Sequence, residues 1–209
     1  MAESPHEPPP PGRDPVLHVA LRLFAGVGYD ATTGRMIADA AGVDQEEIKA
    51  RGGKPGIYEQ IIADFFAAQN ALFDEVAATF TADADGARKF LARVLDFYLD
   101  HPEAMALWQH RALDDAADLV GLDDRYRTPI LRRTAEIMGA EALRHPDFLM
   151  IGNVVTWSLY GFLNGGIDRA DGVHLEPGDP EARLIFRAQM HRLQDLVLGA
   201  LYDEGPEPS

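Results

Sequence analysis

Residues 16–43 read VLHVALRLFAGVGYDATTGRMIADAAGV, and this stretch decides the fold. Leu17, Ala20, Leu21 and Phe24 recur at the i, i+3, i+4, i+7 spacing of one buried helical face. Asp14 followed by Pro15 supplies a capping side chain and a proline at the first helical position, and Gly28 supplies a stop. A second helix starts after Thr33 as N-cap, buries Met36, Ile37 and Ala40, and ends at Gly42. Asp44 can then cap a third short helix running through Ile48 to about Arg51. Two short helices on a tight glycine-containing turn have the pattern of a helix-turn-helix.

Working outward, Gly52, Gly53, Pro55 and Gly56 break the chain before a long helix over residues 55–80, carrying Ile57, Ile61, Phe65, Leu72 and Val76. Residues 83–86 read as a turn and 87–100 as an amphipathic helix. His101-Pro102 marks a boundary, because the residue before a proline disfavours helical geometry. Further helices are expected over 102–119, 125–145, 147–164 and 180–202. Neither an alternating strand pattern nor an internal repeat stands out, so the fold class is all-α. The expected organisation is a three-helix helix-turn-helix domain over 13–56 and a larger helical domain over 57–203. A proline-rich tail over 1–12 and a polar tail over 204–209 flank them, since neither can bury enough surface to order itself.

The chain has no cysteine, which removes disulfides, thiol catalysis and cysteine-ligated zinc. The proline-rich start carries no basic region followed by an apolar core. A cytoplasmic location is therefore expected. Formal net charge is −15, the wrong sign for a nucleic-acid binder, so its distribution matters more than its total. Residues 13–56 hold six basic and six acidic side chains, whereas 57–209 hold 13 basic and 26 acidic. The stretch from Phe148 to Ile167, between Asp147 and Asp168, has no charged residue. Its glycines, asparagines, threonine and serine argue for a helix buried on all sides rather than a membrane span. None of the seven histidines has metal-ligand spacing, and no glycine-rich phosphate loop is present. Asp114, Asp115, Asp118, Asp123 and Asp124 lack the spacing of a calcium loop and read as a solvated face. No cofactor, metal site or catalytic constellation is indicated.

The run Val16–Val43 resembles the first three helices of TetR-family regulators. The tokens are Ala20 to Phe24, Gly28-Tyr29, Thr32-Thr33, Ile37-Ala38 and Ala41-Gly42-Val43, in unbroken order. The resemblance implies about nine helices, a two-fold dimer on operator DNA, and a small effector inside the C-terminal bundle whose binding weakens DNA affinity. The chain departs from the family pattern at Asp44. It reads DQEEIKARGGKP over 44–55, with three acids at the start of the recognition helix and without the aromatics usual at its end. Ile48 and Lys54 still align.

On this reading Gln45 and Lys49 reach base edges, and Glu46 or Glu47 could accept from a cytosine amino group. Thr33, Arg35, Arg51 and Lys54 hold phosphates, helped by backbone amides opening the second and fourth helices. The candidate effector residues are Phe97, His101, Met105, Trp108, Arg111, Trp157, Tyr160 and Asn164, an apolar set with polar anchors. Dimerisation is expected on the uncharged helix around 153–163 and on Leu193, Leu196, Val197, Ala200 and Leu201. Two readings stay open: a ligand-responsive regulator, most simply a repressor, or a ligand-binding or interaction dimer with a vestigial helix-turn-helix.

Overall fold

The computed structural model describes residues 14–139 and 146–203. The tails over 1–12 and 204–209, and the end of the helix expected over 125–145, lie outside the described residues, as do the side chains of Ala200 and Leu201. Among the described residues there are nine α-helices and one two-stranded hairpin, so the fold is all-α. The chain forms two compact units. One comprises residues up to Ala68 with Glu103–Thr128, and the other Gln69–Pro102 with Pro129 onward.

In the first unit α1 spans Pro15–Val27, with Asp14 accepting from the N–H groups of Val16 and Leu17 at 2.9 and 3.4 Å. Helix α2 spans Gly34–Ala41, and the Thr33 hydroxyl accepts from Met36 N–H at 3.1 Å. Gly42 ends α2 with φ 68, the left-handed geometry in which glycine escapes the Cβ clash. Helix α3, Gln45–Ala50, is capped by Asp44. Val16, Ala20 and Phe24 of α1, Ile37 and Ala38 of α2, and Ile48 of α3 enclose one core. Tyr29 and the start of α4, Gly53–Ala77, complete it, and the rings of Phe24, Tyr29 and Tyr58 meet at 4.9–5.8 Å. Met36, which the periodicity counts with the core, is 37% exposed; a two-turn helix points only Ile37 and Ala38 inward.

Helix α6, Pro102–Arg111, adds Leu107 to this core. It stops eight residues short of the expected end at Leu119. Asp114 and Ala116 take φ of 66 and 56, which a continuing helix cannot contain. A π-helical turn at Asp123–Arg127 follows.

The second unit holds α5 (Ala84–Leu99), α7 (Thr128–Met138), α8 (Pro146–Gly165) and α9 (Pro180–Asp203). Asp83 accepts from Gly86 N–H at 2.8 Å and starts α5 three residues earlier than the apolar pattern suggests. Helices α5 and α9 run antiparallel, joined by a ladder of ion pairs: Arg183 with Asp100 at 2.6 Å, Arg187 with Asp96 at 2.7 Å, and Asp195 with Arg88 at 2.5 Å. The rungs repeat at helical spacing and fix register, although such half-exposed pairs each stabilise little. Beside them Ala182, Phe186, Met190, Gln194 and Leu198 form the buried stripe of α9, with Phe186 stacked on Phe162 of α8 at 4.3 Å.

Two expectations change here. Helix α8 is not buried on all sides within one chain: Met150, Asn153, Trp157, Gly161 and Asn164 lie exposed along one face. Between α8 and α9, Ile167 and Asp168 pair antiparallel with Leu175 and His174, a hairpin too short to show alternation. No helix among the described residues is long and apolar enough to cross a membrane.

Candidate nucleic-acid interface

The segment from Thr33 to Lys54 is the candidate site. The cap at Thr33, the left-handed Gly42 and the cap at Asp44 set α2 and α3 as a tight pair, and Ile48 is the anchor α3 drives into the core. That anchor leaves Gln45, Glu46 and Lys49 on the exposed side of α3, and Thr33 and Arg35 exposed at the start of α2. The fold thus leaves Gln45 and Lys49 exposed on α3.

The local electrostatics are internally balanced. Arg35 lies 3.6 Å from Asp39, and Lys49 donates to Glu46 at 2.7 Å. Arg51 donates to Asp14 at the start of α1 and to Glu47 at 2.8 Å. Partial burial alone would raise the Asp14 carboxyl, but Arg51 and the two capped amides outweigh it and hold Asp14 below the usual carboxylate range. The hydrogen bonds to Asp14 and then Glu47 raise the Arg51 guanidinium above its ordinary value. Lys54 donates to the Tyr29 carbonyl at 2.9 Å with its ammonium 3.8 Å above the Tyr29 ring, a cation–π arrangement. Burial, followed by the charges of Asp118, Asp30 and Asp115, pushes the Tyr29 phenol up to about 12. Thus Thr33, Arg35, Gln45 and Lys49 stand outward, whereas Arg51 and Lys54 are half-buried and tie α3 and α4 to α1 and the Tyr29 turn.

The effector candidates divide between the units. Met105, Trp108 and Arg111 lie in the first. Met105 is buried, Trp108 packs on the core beneath the helix-turn-helix, and Arg111 donates to Asp123 at 2.8 Å and to the Ala116 carbonyl at 3.2 Å. Phe97, His101, Trp157, Tyr160 and Asn164 lie in the second. His101 Nδ1–H donates to the Phe97 carbonyl at 2.7 Å, its ring 4.3 Å from that of Phe97. Tyr160 is half-buried, Asn164 donates to its carbonyl at 2.7 Å, and Trp157 is 62% exposed.

Sequence reasoning missed two polar groups in the second core. Gln69 of α4, buried, donates to the Tyr98 hydroxyl at 2.6 Å. Gln194 of α9 is 1% exposed, and its Oε1 has no hydrogen-bond partner among the described residues. Their signal was a glutamine in an otherwise apolar stripe, at 65-69-72 and at 190-194-198. Among the described residues no group of three or more acidic or histidine side chains could hold a metal ion.

All-α chains that open on a capped helix-turn-helix include bacterial one-component regulators. The model of bacterial regulatory proteins of the tetR family matches residues 16–48, the stretch from α1 into α3. The fold over about nine-tenths of the chain is shared with solved regulators. The ketosteroid transcriptional regulator KstR2 of Mycobacterium tuberculosis superposes with a TM-score of 0.64 at 18% identity, over 88% of this chain and 92% of that one. The fatty acid degradation regulator FadR from Bacillus halodurans gives 0.65 at 14% identity, over 93% and 98%. A TetR-like transcriptional regulator from Rhodococcus sp. RHA1 gives 0.62 at 15%, over 91% and 95%. No curated protein matches the chain in sequence. The segment over residues 16–48 is thus similar to the tetR family of bacterial regulatory proteins, and the fold is that of the solved regulators named above.

Proposed function

We infer that the chain is a ligand-responsive transcriptional repressor that binds operator DNA as a homodimer. The observation that carries this reading is the exposed row Gln45, Glu46 and Lys49 on a helix fixed by its buried Ile48, the last residue of the matched segment. In the major groove Gln45 pairs with adenine, Lys49 with guanine, and Glu46 accepts from a cytosine amino group. Thr33 and Arg35 hold phosphates; Arg51 and Lys54 reach them only by leaving Asp14, Glu47 and the Tyr29 turn. The exposed stripe of α8, with Leu184 and Leu196 exposed on α9, is the surface we assign to the dimer. The effector binds within the larger helical domain over 57–203. Of the candidate contacts, Phe97, His101 and Tyr160 lie in the second unit outside the exposed stripe of α8, and we place the effector with them. Two structural neighbours are described as a ketosteroid transcriptional regulator and a fatty acid degradation regulator, which makes steroids and fatty acyl compounds the first classes to screen.

The internal pairing of Arg35, Lys49 and Arg51 favours one rival reading, in which the helix-turn-helix is vestigial and the chain is a ligand-binding dimer. A mobility shift on DNA from the protein's own upstream region, across a salt series, separates them. A specific complex that weakens steeply with salt supports the repressor, because each phosphate neutralised adds roughly 0.9 to the slope of log affinity against log salt. Loss of that complex on adding an effector completes the reading. Failure on that fragment and on a random-site library supports the vestigial module.

A further inference from the structure

The turn that joins α1 to α2 is gripped by a carboxylate from the loop after α6. Asp115 Oδ2 accepts from the Tyr29 N–H at 2.7 Å, and its Oδ1 accepts from the Asp30 N–H at 2.9 Å. The exchange is reciprocal, since Asp30 Oδ1 accepts from Ala116 N–H at 3.4 Å. The base of the loop is tied to the same place, with the His110 Nε2–H donating to the Ala25 carbonyl at 3.0 Å.

Both sides of this clasp show adaptation to it. A Cβ on Gly28 would sit 3.1 Å from Asp115 Oδ1, and Gly28 has φ 83, so a side chain there would meet both crowding and strain. On the loop, Asp115 is bracketed by Asp114 and Ala116 at φ 66 and 56, a region that L residues other than asparagine and aspartate seldom enter. At Ala116 this is strained backbone, which persists only where surrounding contacts over-determine it and concentrates at sites with a task. The turn is fixed from its other side as well: Lys54 holds the Tyr29 carbonyl, and the Thr32 hydroxyl donates to the Gly28 carbonyl at 2.7 Å. Helix α2 begins two residues after Thr32, and α3 follows through Gly42, so the path of residues 28–32 sets where the recognition helix lies.

We propose that Asp115 is a positioning residue for DNA recognition, holding the α1–α2 turn in the path that presents α2 and α3 to the duplex. The proposal rests on the DNA-binding reading above. It makes a claim opposite in sign to simple electrostatics. Neutralising an acid in the unit that approaches DNA should strengthen attraction to phosphates. Asp115→Asn, however, replaces one acceptor of the clasp with an amide donor that faces a backbone N–H.

The test compares Asp115→Asn with Asp118→Asn, which removes a nearby exposed acid that makes no such bonds. Operator affinity is read by mobility shift, and hydrogen exchange is followed over residues 28–50. Asp115→Asn is expected to weaken the specific complex roughly tenfold, the order set by losing a charge-assisted hydrogen bond. Asp118→Asn should leave it unchanged or tighter. Exchange should quicken across α2 and α3 in the first variant only, with α5 and α9 unaffected. An Asp115→Asn protein that binds as well as or better than the wild type, with unaltered exchange, overturns the proposal. If Asp115→Asn does not fold, the wild type decides: Tyr29 and Asp30 amides exchanging as fast as an open loop would remove the clasp. If the wild type binds no DNA, the repressor reading fails by itself, and the exchange comparison still judges whether Asp115 orders α2 and α3.

Discussion

Arg51 lies between Asp14 and Glu47, each a hydrogen-bonded partner, and this changes what its loss should do. A phosphate contact removed would lower the salt slope of DNA binding by roughly 0.9. With its guanidinium already neutralised inside the unit, Arg51→Ala is expected to weaken binding while leaving the slope unchanged, because the end of α3 loses its tie to α1. A mobility-shift salt series on the variant checks this; a slope reduced by about one contact would return Arg51 to the phosphates. His174 makes a second case. Its Nδ1 pairs with Asp168 at 2.8 Å across the hairpin, and that bond, opposed by slight desolvation, raises its pKa above the ordinary 6.5. A group raised in the folded state contributes stability below its unfolded value and loses it as pH climbs through the folded one. NMR titration should therefore place His174 above 6.5 in the wild type and return it toward that value in Asp168→Asn, with the hairpin loosening on the alkaline side.

At the scale of elements, α9 carries a buried amide carbonyl in its apolar stripe, Gln194 Oε1. Leaving such a group unpaired costs about 1–3 kcal/mol, whereas an apolar side chain of similar volume avoids that penalty. Gln194→Leu is expected to raise thermal stability of the unliganded protein. Differential scanning calorimetry of wild type and variant checks this; an unchanged or lower melting temperature would show that the unpaired amide carries no such penalty. The helices themselves were largely legible. Asp14-Pro15, Thr33, Gly42 and Asp44 mark their ends by local chemistry that operates within one turn of chain. The early end of α6 was not legible, because Leu113 to Leu119 still reads as helical by composition. What stops it is a long-range event: Asp115 turning back to the Tyr29 turn, with positive φ on both sides. The hairpin after α8 escaped for a different reason, since two residues per strand leave no period to detect.

For the whole molecule, the exposed face of α8 is the feature a single chain leaves unexplained. Met150 and Trp157 are 55% and 62% exposed on a helix with no charged side chain between Asp147 and Asp168. A second copy covering that face is the proposed remedy, so analytical ultracentrifugation should give twice the chain mass at micromolar concentration. Trp157→Asp should shift it to the monomer by placing a charge in an apolar interface. A wild-type monomer would reassign the stripe.

The sequence by itself determined the helices, the helix-turn-helix and the family resemblance, because capping groups, glycine turns and apolar periodicity are local and act on the nearest turn. It also placed Gln45 and Lys49 outward, since the single apolar anchor Ile48 fixes the rotation of so short a helix. The tertiary structure alone decided that Arg51 and Lys54 hold neighbouring elements and that a carboxylate 85 residues from Asp30 grips the turn before α2. It likewise decided which effector candidates share a unit. Those outcomes depend on which charges and backbone amides meet across distant stretches of chain, and spacing along a sequence carries no record of such meetings.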